Sequence, residues 1–244
     1  MKEESIFFYD PDISMSGFSF HHAPTFKEVK MEKNANVSLN TNAKSRTWTT
    51  VTMVKVSLLS VIAALLMYIQ TPIPMALPFM KLDLADLPSL IAGFAMGPVA
   101  GVVVVLIKNL LHLALQGTTT AYVGELSNFF VNGVYVLVSA LIYRAHKTKK
   151  RALVGLIVGG LVMTIAATCS NYFVIFPLYS KLYGWPMDQI IGLGSSVNPW
   201  VTSYGTMMLF AVVPFNLVKA IVTGFLTMLL YKPLSPILHK KSFR

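Results

Sequence analysis

LPSLIAGFAMGPVAGVVVVLIKNLLHLALQ, from Leu87 to Gln116, is the stretch on which the fold turns. As one helix it would extend about 45 Å at 1.5 Å per residue. That exceeds the roughly 30 Å hydrocarbon core of a bilayer. Gly97-Pro98 falls inside the run. Proline cannot donate to the helix ladder and glycine tolerates a sharp turn, so the pair reads as a boundary between two helices. The stretch therefore splits into 87–96 and 98–116, and the first piece is too short to span without tilting or being shielded by neighbours. Further apolar runs at 51–70, 124–143, 152–178 and 206–231 bring the total to six.

Composition supports the same class. The 244 residues are 55% hydrophobic and only 12% charged, with a mean hydropathy of +0.62. Soluble domains carry about 25% charged residues, so this chain lacks the charge for a water-facing surface and reads as an all-α integral membrane protein. Disordered, collagen-like and disulfide-stapled secreted classes are excluded, the last because Cys169 has no second cysteine to pair with.

Charge placement tests the six-span count independently. Lys44, Arg46 and Lys55 precede or open the first span, Arg144, Lys147, Lys149, Lys150 and Arg151 separate the fourth and fifth, and Lys232, Lys240, Lys241 and Arg244 close the chain. Six spans place all three clusters on one side, whereas five would separate them. The excess of Lys and Arg on cytoplasmic loops selects six transmembrane helices with both termini cytoplasmic. The net charge of +10 is then mostly topology and needs no nucleic acid.

Three regions follow: a polar, disordered N-terminal extension over 1–47, a membrane domain over 48–232 and a basic cytoplasmic tail over 233–244. Residues 1–30 hold five acids and three lysines without the basic and apolar pattern of a signal peptide. Met31 is a second candidate start, so 1–30 reads either as untranslated or as a disordered tail. The external connections are 71–86, 117–123 and 179–205. The last carries Tyr183, Trp185, Trp200 and Tyr204, as an ordered, partly interfacial loop or an aromatic belt would. No internal repeat and no matching broken helices appear.

Polar residues inside spans are costly and mark function by default. Asn109, His112 and Gln116 share one face of the third span with Lys108 beside them. Glu125, Asn128 and Asn132 share a face of the fourth, Thr164, Thr168 and Asn171 of the fifth, and Asn216, Lys219 and Thr223 of the sixth. The heavier groups cluster toward the outer helix ends, which describes a pocket open to the outside. Glu125 and Asn128 are ligand candidates. Lys108 and Glu125 are also candidates to neutralise each other, while Asn216 and Lys219 have no acid nearby in sequence and point to a ligand. The threonines read as interhelical glue, and His112 as hydrogen-bonded structure rather than a metal ligand. No nucleotide loop, paired metal ligands or activated nucleophile is present. Small residues Ser57, Ser60, Ala63 and Ala64 on the first span would suit either close internal packing or a docking partner.

Four segments together resemble one family: PFMKLDLADLPSLIAGFAMGPVAGVVVVLIKNLLH (78–112), GELSNFF (124–130), SNYFVIFPLY (170–179) and VPFNLVKA (213–220). They are similar to the riboflavin-specific S components of energy-coupling factor (ECF) vitamin transporters, over about 50–232. The resemblance implies the ECF S-component fold in a prokaryotic cell membrane, holding riboflavin near the outer face as transported substrate and needing no cofactor. It implies a transmembrane coupling subunit and two ATPase subunits as partners, besides membrane lipid, with ATP hydrolysis in the partners and none in this chain. It matches Asn171, Asn216 and Lys219 to contacts with the flavin ring, and Pro78, Phe79, Met80, Lys81, Leu82 and Asp83 to a loop closing over the ligand. Ser60-x-x-x-Ala64 is the nearest match to a docking pattern for the coupling subunit. Readings from the residues that stay open are an S component for another vitamin or a flavin nucleotide, an intramembrane enzyme using Glu125, Lys108 and His112, and a purely structural membrane partner.

Overall fold

Gly97 breaks the long apolar run where its chemistry allows. The computed structural model describes residues 48–73, 76–77, 80–118 and 120–239. Within them, α1 (Thr50–Leu66) is capped by the Thr49 hydroxyl, which accepts from the Thr52 amide. β1 (Thr71–Pro72) pairs antiparallel with β2 (Lys81–Leu82), Thr71 opposite Leu82. α2 (Asp86–Met96) ends at Gly97, whose φ of 109° is unfavourable for any residue with a Cβ. α3 (Pro98–Gln116) begins on the proline, whose missing N–H is harmless in a first turn.

α4 (Val123–Ala145) and α5 (Lys149–Ser170) follow, the latter capped by Thr148. A π-helical turn, Asn171–Ile175, joins α5 to α6 (Phe176–Tyr183). Then come α7 (Met187–Ser195) and α8 (Tyr204–Met207), a second π-helical turn over Met208–Val212, and α9 (Val213–His239). Four helical stretches are long and apolar enough to cross a membrane, Pro98–Gln116, Val123–Ala145, Lys149–Tyr183 and Tyr204–Tyr231, and α1 and α2 are shorter apolar helices.

α2 lies inside the bundle. Every residue from Asp86 to Phe94 is buried, and Leu90 and Phe94 share a core with Val105, Tyr135, Val136, Met163 and Ala220. In lipid, apolar side chains gain little by leaving the surroundings, so close backbone approach supplies the packing energy. The glycines show where. A Cβ on Gly101 would stand 2.8 Å from the Gly93 Cα, and one on Gly155 would stand 2.7 Å from the Ser139 carbonyl oxygen. These contacts lock α2 to α3 and α4 to α5.

Several expectations change. The 179–205 connection is largely helical. Ile190 of α7, Val201 and Met207 pack with Leu77 and Phe176 in a second core at one end of the bundle. α9 runs on as helix to His239. Ser60 and Ala64 are 0% and 2% exposed, so the docking patch expected there lies inside the fold. Its small side chains let α1 pack on α2 and α3, with Ala63 in one buried cluster with Ala92, Ala100 and Val104. The outward face of α1 is carried instead by Val54, Leu58 and Leu65. The extension over 1–47 and residues 240–244 lie outside the described residues.

Candidate binding site

An open cleft lies at the bundle end opposite the Arg144–Arg151 connection. Met80, Lys81 and Asp83 reach it from the hairpin side, and Gly124, Ser127, Asn128, Val131 and Asn132 from the first turns of α4. The α5–α6 stretch contributes Ala167, Asn171, Ile175 and Tyr179, and α9 contributes Phe215, Asn216 and Lys219. This mixture of apolar walls and a few placed polar groups is the usual make-up of a small-molecule site.

The polar stripes predicted on the fourth, fifth and sixth helices do converge. Asn171 donates to the Ala167 carbonyl at 2.7 Å, Asn216 to the Val212 carbonyl at 2.8 Å, and Asn132 to the Asn128 side-chain oxygen at 2.8 Å. An amide offers two N–H donors and a carbonyl oxygen. Asn171 and Asn216 each use one donor on their own helix, which leaves the other donor and the oxygen for the cleft.

Lys219 corrects the sequence reading most sharply. Its Nζ stands 2.9 Å from Asp86 Oδ2 and 3.6 Å from Asp83 Oδ2, and the other Asp86 oxygen is ion-paired with Lys108. All four residues are buried. Lys219 is therefore not without an acidic partner. Two carboxylates and two ammonium groups cancel, as they must where an uncompensated charge costs several kcal/mol. The Asp83 carboxylate also accepts from the Ala85 amide at 2.9 Å, which pins the chain just before α2.

Lys108 consequently does not neutralise Glu125. The Glu125 carboxylate accepts from the Thr118 and Thr120 hydroxyls at 3.2 and 2.9 Å, closing the turn into α4. Neither Glu125 nor Leu82 lines the cleft, and Pro78 and Phe79 lie outside the described residues. Thr164, Thr168 and Thr223 each donate to the carbonyl four residues back in their own helix, and of the three Thr223 also links helices, through the Tyr135 hydroxyl of α4. His112 is not hydrogen-bonded among the described residues; both ring nitrogens are buried without a partner, and the ring lies tilted 5.7 Å from that of Tyr68. No group of three or more metal-ligating side chains occurs among the described residues.

Sequence reasoning missed Asp86, Ser127, Ile175, Tyr179 and Phe215. Asp86 had a signal, since a charged residue opening an apolar helix needs a partner. Tyr179 and Phe215 looked like ordinary wall residues.

Comparison with known proteins agrees with this architecture. The family model for the ECF transporter substrate-specific component matches residues 51–231. "Riboflavin transporter RibU" of Staphylococcus aureus (strain TCH60) is 34% identical over 189 residues, 77% of this chain and 92% of that protein. "Riboflavin transporter FmnP" of Bacillus subtilis (strain 168) is 31% identical over 185 residues, 75% of this chain and 92% of that protein. The solved structure described as "Structure and mechanism of the S component of a bacterial ECF transporter" aligns with a TM-score of 0.60 and 34% identity, covering 78% of this chain and 98% of that one.

Proposed function

This chain belongs to the substrate-specific components of ECF transporters, and from that membership we propose that it captures riboflavin for uptake across the cell membrane. The observation that carries the reading is the meeting of Asn171, Asn216 and Lys219, from two long helices, in one cleft floored by apolar side chains. The flavin ring has a pyrimidine-like edge with carbonyl acceptors and an N–H. Two half-used amides can answer both kinds of group, and an ammonium can donate to a carbonyl or ring nitrogen. Asn128 and Asn132 line the same cleft from α4, and a polar chain of hydroxyls would run along them. Met80, Lys81 and Asp83 are the hairpin-side contacts.

The family is one of transporter components rather than enzymes. The energy for uptake belongs, in this reading, to a transmembrane coupling subunit and two ATPase subunits. All six helices cross the bilayer, with α2 shielded by its neighbours and both chain ends cytoplasmic beside the basic Arg144–Arg151 connection. The cleft then opens outward.

The test is direct. The purified protein should be yellow, and riboflavin should quench the fluorescence of Trp48, Trp185 and Trp200 saturably. A colourless preparation without saturable quenching would sink the reading, and quenching by a different vitamin alone would reassign the ligand.

A further inference from the structure

We propose that Tyr204 and Asn198 are positioning residues of this cleft: each satisfies a carbonyl that a proline has orphaned beside a π-helical turn, and together they fix where Asn171 and Asn216 stand. The inference deepens the riboflavin reading and rests on it.

The two helices that supply those amides carry the same device. The turn Asn171–Ile175 is followed by Phe176 and Pro177, and the turn Met208–Val212 by Val213 and Pro214. In each, the residue before the proline donates its N–H five residues back, Phe176 to Asn171 and Val213 to Met208. The proline has no N–H to give. Tyr172 thus loses both backbone donors, because Phe176 has gone to Asn171 and the next position is Pro177. In the second turn Leu209 loses both donors in the same way, to Met208 and to Pro214, and Phe210 loses its α-helical donor four residues on, which is Pro214. Within a bilayer such carbonyls require another donor.

One connecting segment serves both. The Tyr204 hydroxyl lies 2.6 Å from the Tyr172 carbonyl oxygen and 3.3 Å from that of Asn171, and its ring stacks on Tyr172 at 4.7 Å. Asn198 Nδ2 donates to the Phe210 carbonyl at 2.9 Å. Asn198 is itself buried, accepts from the Trp200 amide at 3.0 Å, and is tied by its own amide to Gly194 of α7. Asn171 opens the first π-helical turn, and Asn216 hangs on Val212, the last residue of the second.

The turns decide which side chains face the ligand. Ala167, Asn171, Ile175 and Tyr179, each four residues apart, all line the cleft. On an unbroken α-helix three such steps would rotate the last residue about 120° off the face. The extra residue in the π-helical turn removes most of that drift. Removing a cap relaxes the turn and swings the amide.

The test uses the full-length protein, with riboflavin titrated against tryptophan fluorescence. Tyr204→Phe keeps the ring stack and removes only the hydroxyl, and Asn198→Ala removes the second cap. Each is expected to weaken binding about tenfold, the scale of one lost hydrogen bond. Double-mutant cycles separate positioning from general damage. Tyr204→Phe should add nothing once Asn171→Ala is present, yet keep its full effect beside Lys219→Met; Asn198→Ala should behave the same way beside Asn216→Ala. Full additivity in the Asn171 and Asn216 cycles overturns the proposal, as does unchanged affinity in the single variants. If Asn198→Ala does not fold, the conservative Tyr204→Phe carries the test alone. If the unaltered protein binds no riboflavin, the ligand reading fails and hydrogen exchange decides the brace. Faster exchange at the amides of Ile175, Phe176 and Leu178 in Tyr204→Phe upholds it, and unchanged exchange overturns it.

Discussion

Asp86 grips two lysines from two different helices, Lys108 of α3 through one carboxylate oxygen and Lys219 of α9 through the other at 2.9 Å. A single side chain at the start of the buried α2 thereby ties α9, which brings Lys219 to the cleft, to α3. Removing it leaves two buried ammonium groups to share Asp83. Asp86→Asn should lower stability by about 3–5 kcal/mol, the usual penalty for breaking a buried pair from one side. Asp86→Asn combined with Lys108→Met restores charge balance and should recover much of the loss. Thermal unfolding in detergent measures both, and an Asp86→Asn protein as stable as its parent would dissolve the argument.

Lys219 and Thr223 lie one turn apart on α9, yet their roles differ. The Thr223 hydroxyl is spent on the Lys219 carbonyl at 2.6 Å, whereas the Lys219 ammonium reaches the cleft. Lys219→Met should weaken riboflavin binding at least tenfold, as loss of a charged hydrogen-bond donor does, and Thr223→Val should change it little. Equal effects in a quenching titration would place the ring elsewhere.

Two glycines test the packing. A Cβ at Gly155 would meet the Ser139 carbonyl at 2.7 Å, while one at Gly133 meets nothing within 4 Å. Gly155→Val should cost about 1–3 kcal/mol through overpacking. Gly133→Ala should be neutral or stabilise by about 0.5–1 kcal/mol through helix propensity. The difference in melting temperature between the two variants reads it.

His112 offers a stabilising change. Among the described residues both ring nitrogens are buried without partners, and leaving such atoms unpaired costs about 1–3 kcal/mol. His112→Phe keeps the contact with Tyr68 and discards the polar atoms, so the melting temperature should rise. A clear fall would mean that the imidazole bonds a group outside the described residues.

Features governed by nearest neighbours along the chain were legible in the sequence. Gly97-Pro98 marked a helix boundary, and a period of 3.6 placed Asn128, Asn132, Asn171, Asn216 and Lys219 on faces that do meet. Pairing across helices was not legible. Lys108 was matched to Glu125 because their spans are consecutive, whereas α2 reaches inside and presents Asp86 instead. Small residues at Ser60 and Ala64 announced close approach without saying to what. The π-helical turns escaped because a reading built on 3.6 residues per turn has no place for an extra one, and Pro177 and Pro214 were the only trace they left.

The short hairpin after α1 has a mechanical consequence. Thr71 pairs with Leu82 and Pro72 with Lys81, so the chain departs and returns at a single point. Between the strands, Ala76 and Leu77 are both buried, and Leu77 is held in the core formed with Phe176, Ile190, Val201 and Met207. The connection is therefore fastened at three places, two strand pairs and one leucine, so moving Met80, Lys81 and Asp83 off the cleft costs the burial of Leu77 as well as the two-rung pairing.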